Sequence, residues 1–231
     1  MKPEKELISL SHVISSDMIA YPGDPEVRFR VHRSLSNDGV NVSKVTLGTH
    51  TATHLDAPSH ILEKGNTLTD LELTGFFGVA RCVRMKECSL TIGPDICVSG
   101  IRPGEAVFID TGHGRLWNTA GYFGDRPCPA KETSAMLIQK KISAIGIDTP
   151  GVDMKGAEDK YNHRVFLENG INVYECVANL DRLPEDVPFV YFALPLPMKK
   201  ADGAPVSILA LVGCEELTDA VLSFKKGVLG A

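Results

Sequence analysis

Short apolar segments separated by turn residues dominate the chain, and few stretches have the spacing of an amphipathic helix. Strands are predicted at residues 40–47, 78–85, 105–110 and 142–148, which are rich in Val and Thr or form short, mostly apolar runs. Apolar residues at helical spacing predict helices in KETSAMLIQKK (131–141), YECVANL (174–180) and EELTDAVLSFKK (215–226). Many short strands mixed with few helices indicate an α/β protein with more than one small sheet.

No internal repeat, low-complexity segment or linker divides the 231 residues. The Pro and Gly residues of YPGDP (21–25) predict a local turn, not a boundary between domains. A chain of this length can bury a substantial core. We therefore expect a single domain spanning residues 1–231.

The composition is that of an ordinary globular protein, with 43% hydrophobic and 23% charged residues. The net charge of −5 is not concentrated in any block, so nothing indicates a nucleic-acid or anionic-membrane surface. No apolar run is long enough to cross a bilayer. The opening MKPEKELISLSHVISS lacks the pattern of a secretion signal.

The six cysteines are scattered, and no CxxC pair occurs among Cys82, Cys88, Cys97, Cys128, Cys176 and Cys214. In a chain of this size without a secretion signal, we expect reduced and mostly buried thiols. This expectation places the protein in the cytoplasm.

The segment HTATHLDAPSH contains three of the chain's seven histidines and a carboxylate, at His50, His54, Asp56 and His60. A helix would place His50 and His54 on one face. At about 100° per residue, however, Asp56 and His60 would lie on the opposite side. A proline inside the segment would also interrupt the helix. The segment is therefore predicted to be extended.

In an extended chain these four side chains, all at even positions, project from one face. A straight strand would separate the first from the last by roughly 33 Å at ~3.3 Å per residue. A shared metal site therefore requires a bend, for which Ala52, Ala57 and Pro58 are suitable positions. Imidazole and carboxylate ligands suit zinc or manganese and favour an open, catalytic site. The spacing alone also allows a His-rich surface loop or hydrogen-bonded core histidines.

The segment HTATHLDAPSH resembles the HxGTHxDxPxH pattern of the cyclase family, which includes bacterial kynurenine formamidases and isatin hydrolases. YPGDP resembles the family's early aromatic-Pro-Gly-Asp turn, and IGIDTPGVD resembles its GIDTPSVD segment. In the family, a later block supplies a His and a Glu, and NHRVFLENGINVYECVANLD contains His163 and Glu175 at the same separation. The resemblance spans most of the chain in the expected order.

The resemblance implies a centre with two divalent metal ions, zinc or manganese. His50, His54 and Asp56 would hold the first ion. Asp56 would bridge to a second ion held by His163, and Glu175 would contact both ions.

The resemblance also implies a reaction. The chain would be a metal-dependent amide hydrolase, most closely an arylformamidase that converts N-formyl-kynurenine to kynurenine and formate. A metal-bound hydroxide would attack the amide, with His60 as the catalytic proton shuttle. Tyr21 would bind the substrate.

The fold implied by the resemblance is α/β, a swivelling β/β/α domain with short mixed sheets and a few helices. The family usually forms a homodimer in which the partner helps to close the active site. The expected partner is a small-molecule amide substrate, with no nucleic acid and no membrane.

Three residues depart from the family pattern. Ala52 stands where the family usually has Gly. If that position requires a positive φ, the alanine would strain the backbone by roughly 1 kcal/mol. Tyr21 replaces the tryptophan of kynurenine formamidases, and Gly151 replaces a Ser. None is an implied metal ligand, so the departures bear on the substrate and not on the metal chemistry.

Other polar residues have two interpretations. His113, in a TGHG turn, either reaches the active site or is a turn residue. Asp148 and Asp153 are interpreted as carboxylates that shape loops. Glu168 is interpreted as a solvated residue.

Two other functions compete with the arylformamidase hypothesis. One keeps the chemistry and changes the substrate to a cyclic amide such as isatin. The other is a non-catalytic protein that uses a metal to bind a ligand or to stabilise the fold. The second alternative predicts that His60→Ala would leave every activity unchanged.

Overall fold

The computed structural model describes residues 4–87, 89–96 and 100–229. The helices in this part of the chain are α1 (Leu35–Asp38), α2 (Lys131–Gln139), α3 (Tyr161–Glu168) and α4 (Glu215–Leu229). The strands are β1 (Glu6–Ser9), β2 (Arg28–Arg33), β3 (Val42–Thr46), β4 (His54–Asp56), β5 (Phe77–Arg84), β6 (Thr91–Ile92), β7 (Ala106–Asp110), β8 (Cys128–Pro129), β9 (Ala144–Ile147), β10 (Asn172–Glu175), β11 (Phe189–Pro195) and β12 (Gly203–Val212).

The main sheet closes on itself. Its strand order is β1-β12-β11-β5-β7-β9-β10-β4, and β4 also pairs with β12, so the strands from β12 to β4 form a ring. Neighbouring strands from β5 to β10 are parallel, whereas the other pairs in the ring are antiparallel. Two further sheets of the described chain, β2-β3 and β6-β8, have two strands each. The α/β class predicted from the sequence is confirmed.

Alternating residues of strand β7 belong to two different cores. Along β7, Phe108 belongs to the same core cluster as Tyr174 and Tyr191, on one face of the sheet. Its neighbours Val107 and Ile109 belong to a second cluster, which the apolar residues of α2 and α3 cover. This alternation is the two-residue period of a strand buried on both faces.

Helix α4 covers another part of the sheet. Val221 of α4 packs with Val79 of β5 and Val190 of β11 in a third apolar cluster. Among the helices described, none combines the length and apolar character that crossing a membrane requires.

The predicted strands agree with β3, β5, β7 and β9, and the first and last predicted helices agree with α2 and α4. YPGDP forms the predicted turn, in which the amide of Asp24 donates to the carbonyl of Tyr21 at 2.9 Å. The helix predicted at residues 174–180 is wrong. Tyr174 and Glu175 end strand β10, which lies between β9 and β4. A short, mostly apolar stretch such as this one fits a buried strand as well as a helix, and pairing with the neighbouring strands decides the outcome.

The described cysteines agree with the expected reduced thiols. Cys82, Cys128 and Cys176 are buried, Cys214 is half-buried, and all four are free. Burial raises the pKa of the Cys82 thiol to about 12. Cys88 and Cys97 lie outside the described residues.

Candidate metal centre

Closure of the sheet brings the two histidine-containing segments together. Strand β4 pairs with β10 on one side and β12 on the other, and His54 is directly opposite Glu175. His54 and Asp56 alternate with Leu55, which is fully buried in the core. Helix α3, which ends just before β10, carries His163.

Five predicted ligands converge at this place. The Nε2 atom of His163 lies 2.9 Å from Oε1 of Glu175 and 3.3 Å from Oδ2 of Asp56. The Nε2 atom of His54 lies 3.4 Å from Oδ1 of Asp56 and 3.5 Å from Oε2 of Glu175. On the other side, Nδ1 of His50 is 2.9 Å from Oδ1 of Asp56. Side chains more than 100 positions apart in the sequence therefore form one cluster.

Two of the imidazoles have their second nitrogen fixed by a protein acceptor. Nδ1 of His54 donates to the carbonyl of Ala52 at 2.8 Å. Nδ1 of His163 donates to Oδ2 of Asp153 at 2.6 Å. A proton on Nδ1 leaves the inward Nε2 of each neutral ring with a free lone pair, which is the arrangement that a metal ligand requires.

Asp153 therefore has a different role from the one interpreted from the sequence. Its carboxylate also accepts the backbone amides of Asn162 and His163, at 2.8 and 3.2 Å. It fixes the first turn of α3 and the orientation of the His163 ring together. Asp148 does shape a loop, since it accepts the amides of Thr111 and Gly114.

Asp202 contacts two residues of the first segment. Its Oδ2 lies 3.2 Å from Nε2 of His50 and 3.7 Å from Nδ1 of His60. The rings of His50 and His60 pack with centroids 4.0 Å apart. One nitrogen of His60, one of His163 and one oxygen of Asp56 also lie within 4.8 Å of one another. His60 thus borders the cluster. Asp202 was not predicted, because no motif in the sequence marks it.

Opposite charges hold the cluster together. Burial by itself raises the pKa of Asp56, but hydrogen bonds from the surrounding imidazoles hold it well below its usual value. Burial by itself lowers the pKa of His163, but the Glu175 carboxylate and hydrogen bonds to other carboxylates raise it well above its usual value. Burial likewise raises the pKa of Glu175, but charge and a hydrogen bond from His163 lower it to about 2. Both carboxylates are therefore ionised, and imidazole protons supply the positive charge that a bound cation would otherwise provide.

The residues present fit a divalent metal. Oδ2 of Asp56 is buried and has no hydrogen-bond partner. A buried carboxylate oxygen without a partner is costly, and a cation would satisfy it. Three imidazoles and two carboxylates without a thiolate are ligands typical of zinc or manganese.

The cluster lies in the wall of a cavity of about 310 Å³, lined also by Tyr21, Ile61 and Phe123. Tyr21 packs edge-on against Phe123, with ring centroids 5.4 Å apart. This volume is at the lower end of the usual range for small-molecule sites. His113 is not among the lining residues, and its Nε2 contacts the carbonyl oxygen of Tyr122 at 2.8 Å. The turn interpretation of His113 therefore fits the structure.

The segment bends where the sequence suggested. Ala52 has a left-handed backbone with φ of 55°, and Pro58 begins a 3₁₀ turn that ends at His60. Ala57, between them, is extended. The Ala52 bend allows the carbonyl of Ala52 to accept the His54 proton, although a side chain in this conformation is strained by about 1–2 kcal/mol.

A family model described as "Putative cyclase" matches residues 8–154, well over half of the chain. The chain belongs to this cyclase family. The resemblance found in the sequence is thereby confirmed.

Related proteins extend the match beyond that segment. A kynurenine formamidase of Bacillus mycoides (strain KBAB4) is 32% identical over 202 residues, covering 86% of this chain and 94% of the relative. A kynurenine formamidase of Polaromonas naphthalenivorans (strain CJ2) is 31% identical, covering 80% and 82%. The solved structure of isatin hydrolase A from Labrenzia aggregata has a TM-score of 0.81 at 23% identity, covering 90% and 94%. This structural likeness confirms the fold.

The left-handed backbone at Ala52 predicts an unusual effect of glycine. Ala52→Gly should raise the free energy of unfolding by about 0.5–1 kcal/mol, because glycine adopts this conformation without strain. The matched control is Ala57→Gly, at a buried and extended position, which should lower the free energy of unfolding by about 1 kcal/mol. Denaturant unfolding of metal-free protein measures both values. Equal destabilisation by the two substitutions would show that Ala52 is not strained.

Proposed function

We propose that the protein is a metal-dependent amide hydrolase, most closely an arylformamidase that releases formate from N-formyl-kynurenine. The observation that carries the proposal is the convergence of three imidazoles and two carboxylates, from distant segments, at the wall of one cavity. The curated relatives named kynurenine formamidase, about 30% identical over most of the chain, support the reaction class.

The proposed cofactors are two divalent ions, zinc or manganese. His50, His54 and Asp56 would hold one ion, Asp56 and His163 the other, and Glu175 would contact both. When bound, such ions lower the pKa of water toward ~7 and polarise a carbonyl oxygen. Oδ2 of Asp56, which accepts no hydrogen bond although Nε2 of His163 lies 3.3 Å away, supports this assignment, because a cation would satisfy this buried oxygen.

His60 is proposed as the proton-transfer residue. Hydrolysis requires one proton to leave the attacking water and one to reach the departing nitrogen, and an imidazole can perform both transfers. His60 lines the cavity and is more exposed than His54 or His163. Its neighbour Asp202 would orient the ring from outside the cluster.

The aromatic wall supports an aryl substrate. Tyr21 and Phe123 line the cavity beside the ligand cluster and offer ring faces and edges for stacking. An N-formyl aryl amine would place its ring against this wall and its formyl carbon near the imidazoles. Isatin, a cyclic amide, has a ring of similar size and is the second candidate, favoured by the likeness of fold to isatin hydrolase A.

A homodimer is also proposed, from the exposed hairpin of β2 and β3. Every residue of both strands is exposed, yet the hairpin carries large apolar side chains such as Phe29, Val31 and Val45. An exposed apolar surface of this kind usually marks an interaction site. A second copy of the chain is the proposed partner.

We further propose that residues 1–231 act as one domain in the cytoplasm. The three main apolar clusters share strands of the same closed sheet, which supports a single folding unit. The free thiols of the described cysteines are those of a reducing compartment.

Metal dependence and substrate can be tested together. Protein stripped with a chelator should release no formate from N-formyl-kynurenine, and added zinc or manganese should restore formate release. Isatin opening is measured in parallel under the same conditions. Hydrolysis of isatin alone would favour the cyclic-amide substrate, and no turnover of either compound with either metal would refute the proposed hydrolase.

The role of His60 predicts a separation of activity from metal binding. His60→Ala should retain the metal content of the wild-type protein and lower kcat by about 10²–10⁴-fold, because only the proton transfer is lost. His54→Ala is the control and should lose metal as well as activity. Metal analysis and steady-state kinetics measure both effects. Unchanged turnover in His60→Ala would contradict the proton-transfer role, and loss of metal would make His60 a ligand.

A further inference from the structure

Arg126 carries a buried positive charge with few partners. The residue is 5% exposed, and its Nε donates to the backbone carbonyl of Asp153 at 3.2 Å. Its Nη1 is buried without a hydrogen-bond partner. The guanidinium forms no salt bridge with any residue in the described part of the chain. A guanidinium stays charged and offers five N–H donors, so this buried group lacks a counter-charge among the described residues, and the donors on Nη1 have no partner.

The guanidinium belongs to the wall of the proposed active site. Arg126 lines the same cavity as His163, and Lys160 adds a second cation to the lining. Two carboxylates, Asp24 and Glu175, line the cavity as well, but neither pairs with Arg126. Glu175 is already engaged by His163 and a backbone amide. None of the described residues therefore supplies a counter-charge to Arg126, and a molecule that enters the cavity could supply it.

Gly151 makes the position of this guanidinium possible. Its φ is +144°, and a Cβ at this position would lie 2.7 Å from Nη2 of Arg126. Gly151 is also one of the departures from the family pattern, where a Ser is usual. The buried guanidinium therefore occupies space that a side chain at position 151 would fill.

We propose that Arg126 binds a carboxylate group of the substrate. A planar guanidinium pairs with a carboxylate through two parallel hydrogen bonds, which both neutralises its charge and fixes the orientation of the ligand. The inference rests on the proposed function and adds a substrate class to it. The enzyme is selective for aryl amides that carry an anionic substituent away from the scissile bond.

This substrate class separates the two candidate reactions. N-formyl-kynurenine carries an amino-acid carboxylate, whereas isatin carries no carboxylate. N-formyl-kynuramine differs from N-formyl-kynurenine only by lacking that carboxylate. These two N-formyl compounds therefore measure the contribution of the carboxylate with the scissile bond unchanged.

The test compares Arg126→Gln with wild type on both N-formyl compounds, using metal-loaded protein. The variant should lose at least tenfold in kcat/KM for N-formyl-kynurenine, mainly through KM, and less than twofold for N-formyl-kynuramine. Arg126→Lys keeps the positive charge but cannot form the two parallel hydrogen bonds of a guanidinium. It should lose less kcat/KM than Arg126→Gln, again on the carboxylated substrate alone. Arg115→Gln removes the same charge from an exposed position outside this cavity and should leave kcat/KM unchanged for both substrates.

A binding measurement tests the inference independently of turnover. Calorimetry should show that wild type binds kynurenine at least tenfold more tightly than kynuramine, and that Arg126→Gln removes this difference. Equal losses on both substrates, or an undiminished preference for the carboxylate in Arg126→Gln, would overturn the role of Arg126. Wild type that releases formate from neither compound but binds kynurenine preferentially through Arg126 would refute the proposed reaction and retain the carboxylate site.

Discussion

The negative charge of two adjacent buried carboxylates, Asp56 and Glu175, is the constraint on which the site depends. Away from water, such charges are stable only beside positive charge or hydrogen-bond donors. Three imidazoles lie beside these carboxylates, and Oδ2 of Asp56 still accepts no hydrogen bond, although Nε2 of His163 lies 3.3 Å away. A divalent cation provides the missing neutralisation and can polarise a carbonyl at the same place. An ion bound here would therefore serve both the stability of the site and its chemistry.

Closure of the sheet creates this concentration of charge. Strand β4 has only three residues, but it completes the ring between β10 and β12 and sets His54 opposite Glu175. Ala52, just before this strand, has a left-handed backbone conformation, and the carbonyl of Ala52 orients the His54 ring. The buried Leu55 therefore anchors β4 and its ligands His54 and Asp56, while the segment bends at Ala52 before the strand and at Pro58 after it.

The sequence predicted the local elements and the ligand positions better than it predicted the contacts between them. HTATHLDAPSH and the later His–Glu pair carry a recognisable spacing, so their convergence could be expected from resemblance. Asp202 and Asp153 contact the imidazoles only after folding, and a lone aspartate has no distinctive sequence pattern. The helix predicted at residues 174–180 failed because cross-strand pairing, which is non-local, decides between two structures of a short apolar run. Whether Arg126 has a counter-charge likewise depends on residues distant in the sequence, so it could not be predicted.

The two-metal centre is tested most directly by a crystal structure of the zinc- or manganese-loaded protein with anomalous diffraction at the metal edge. We expect two adjacent peaks, each about 2.0–2.2 Å from its nitrogen and oxygen ligands. His50, His54 and Asp56 should surround one peak, Asp56 and His163 the other, and Glu175 should contact both. A map without a peak between these side chains, in protein that hydrolyses the substrate, would show that the reaction does not depend on metal ions at this site.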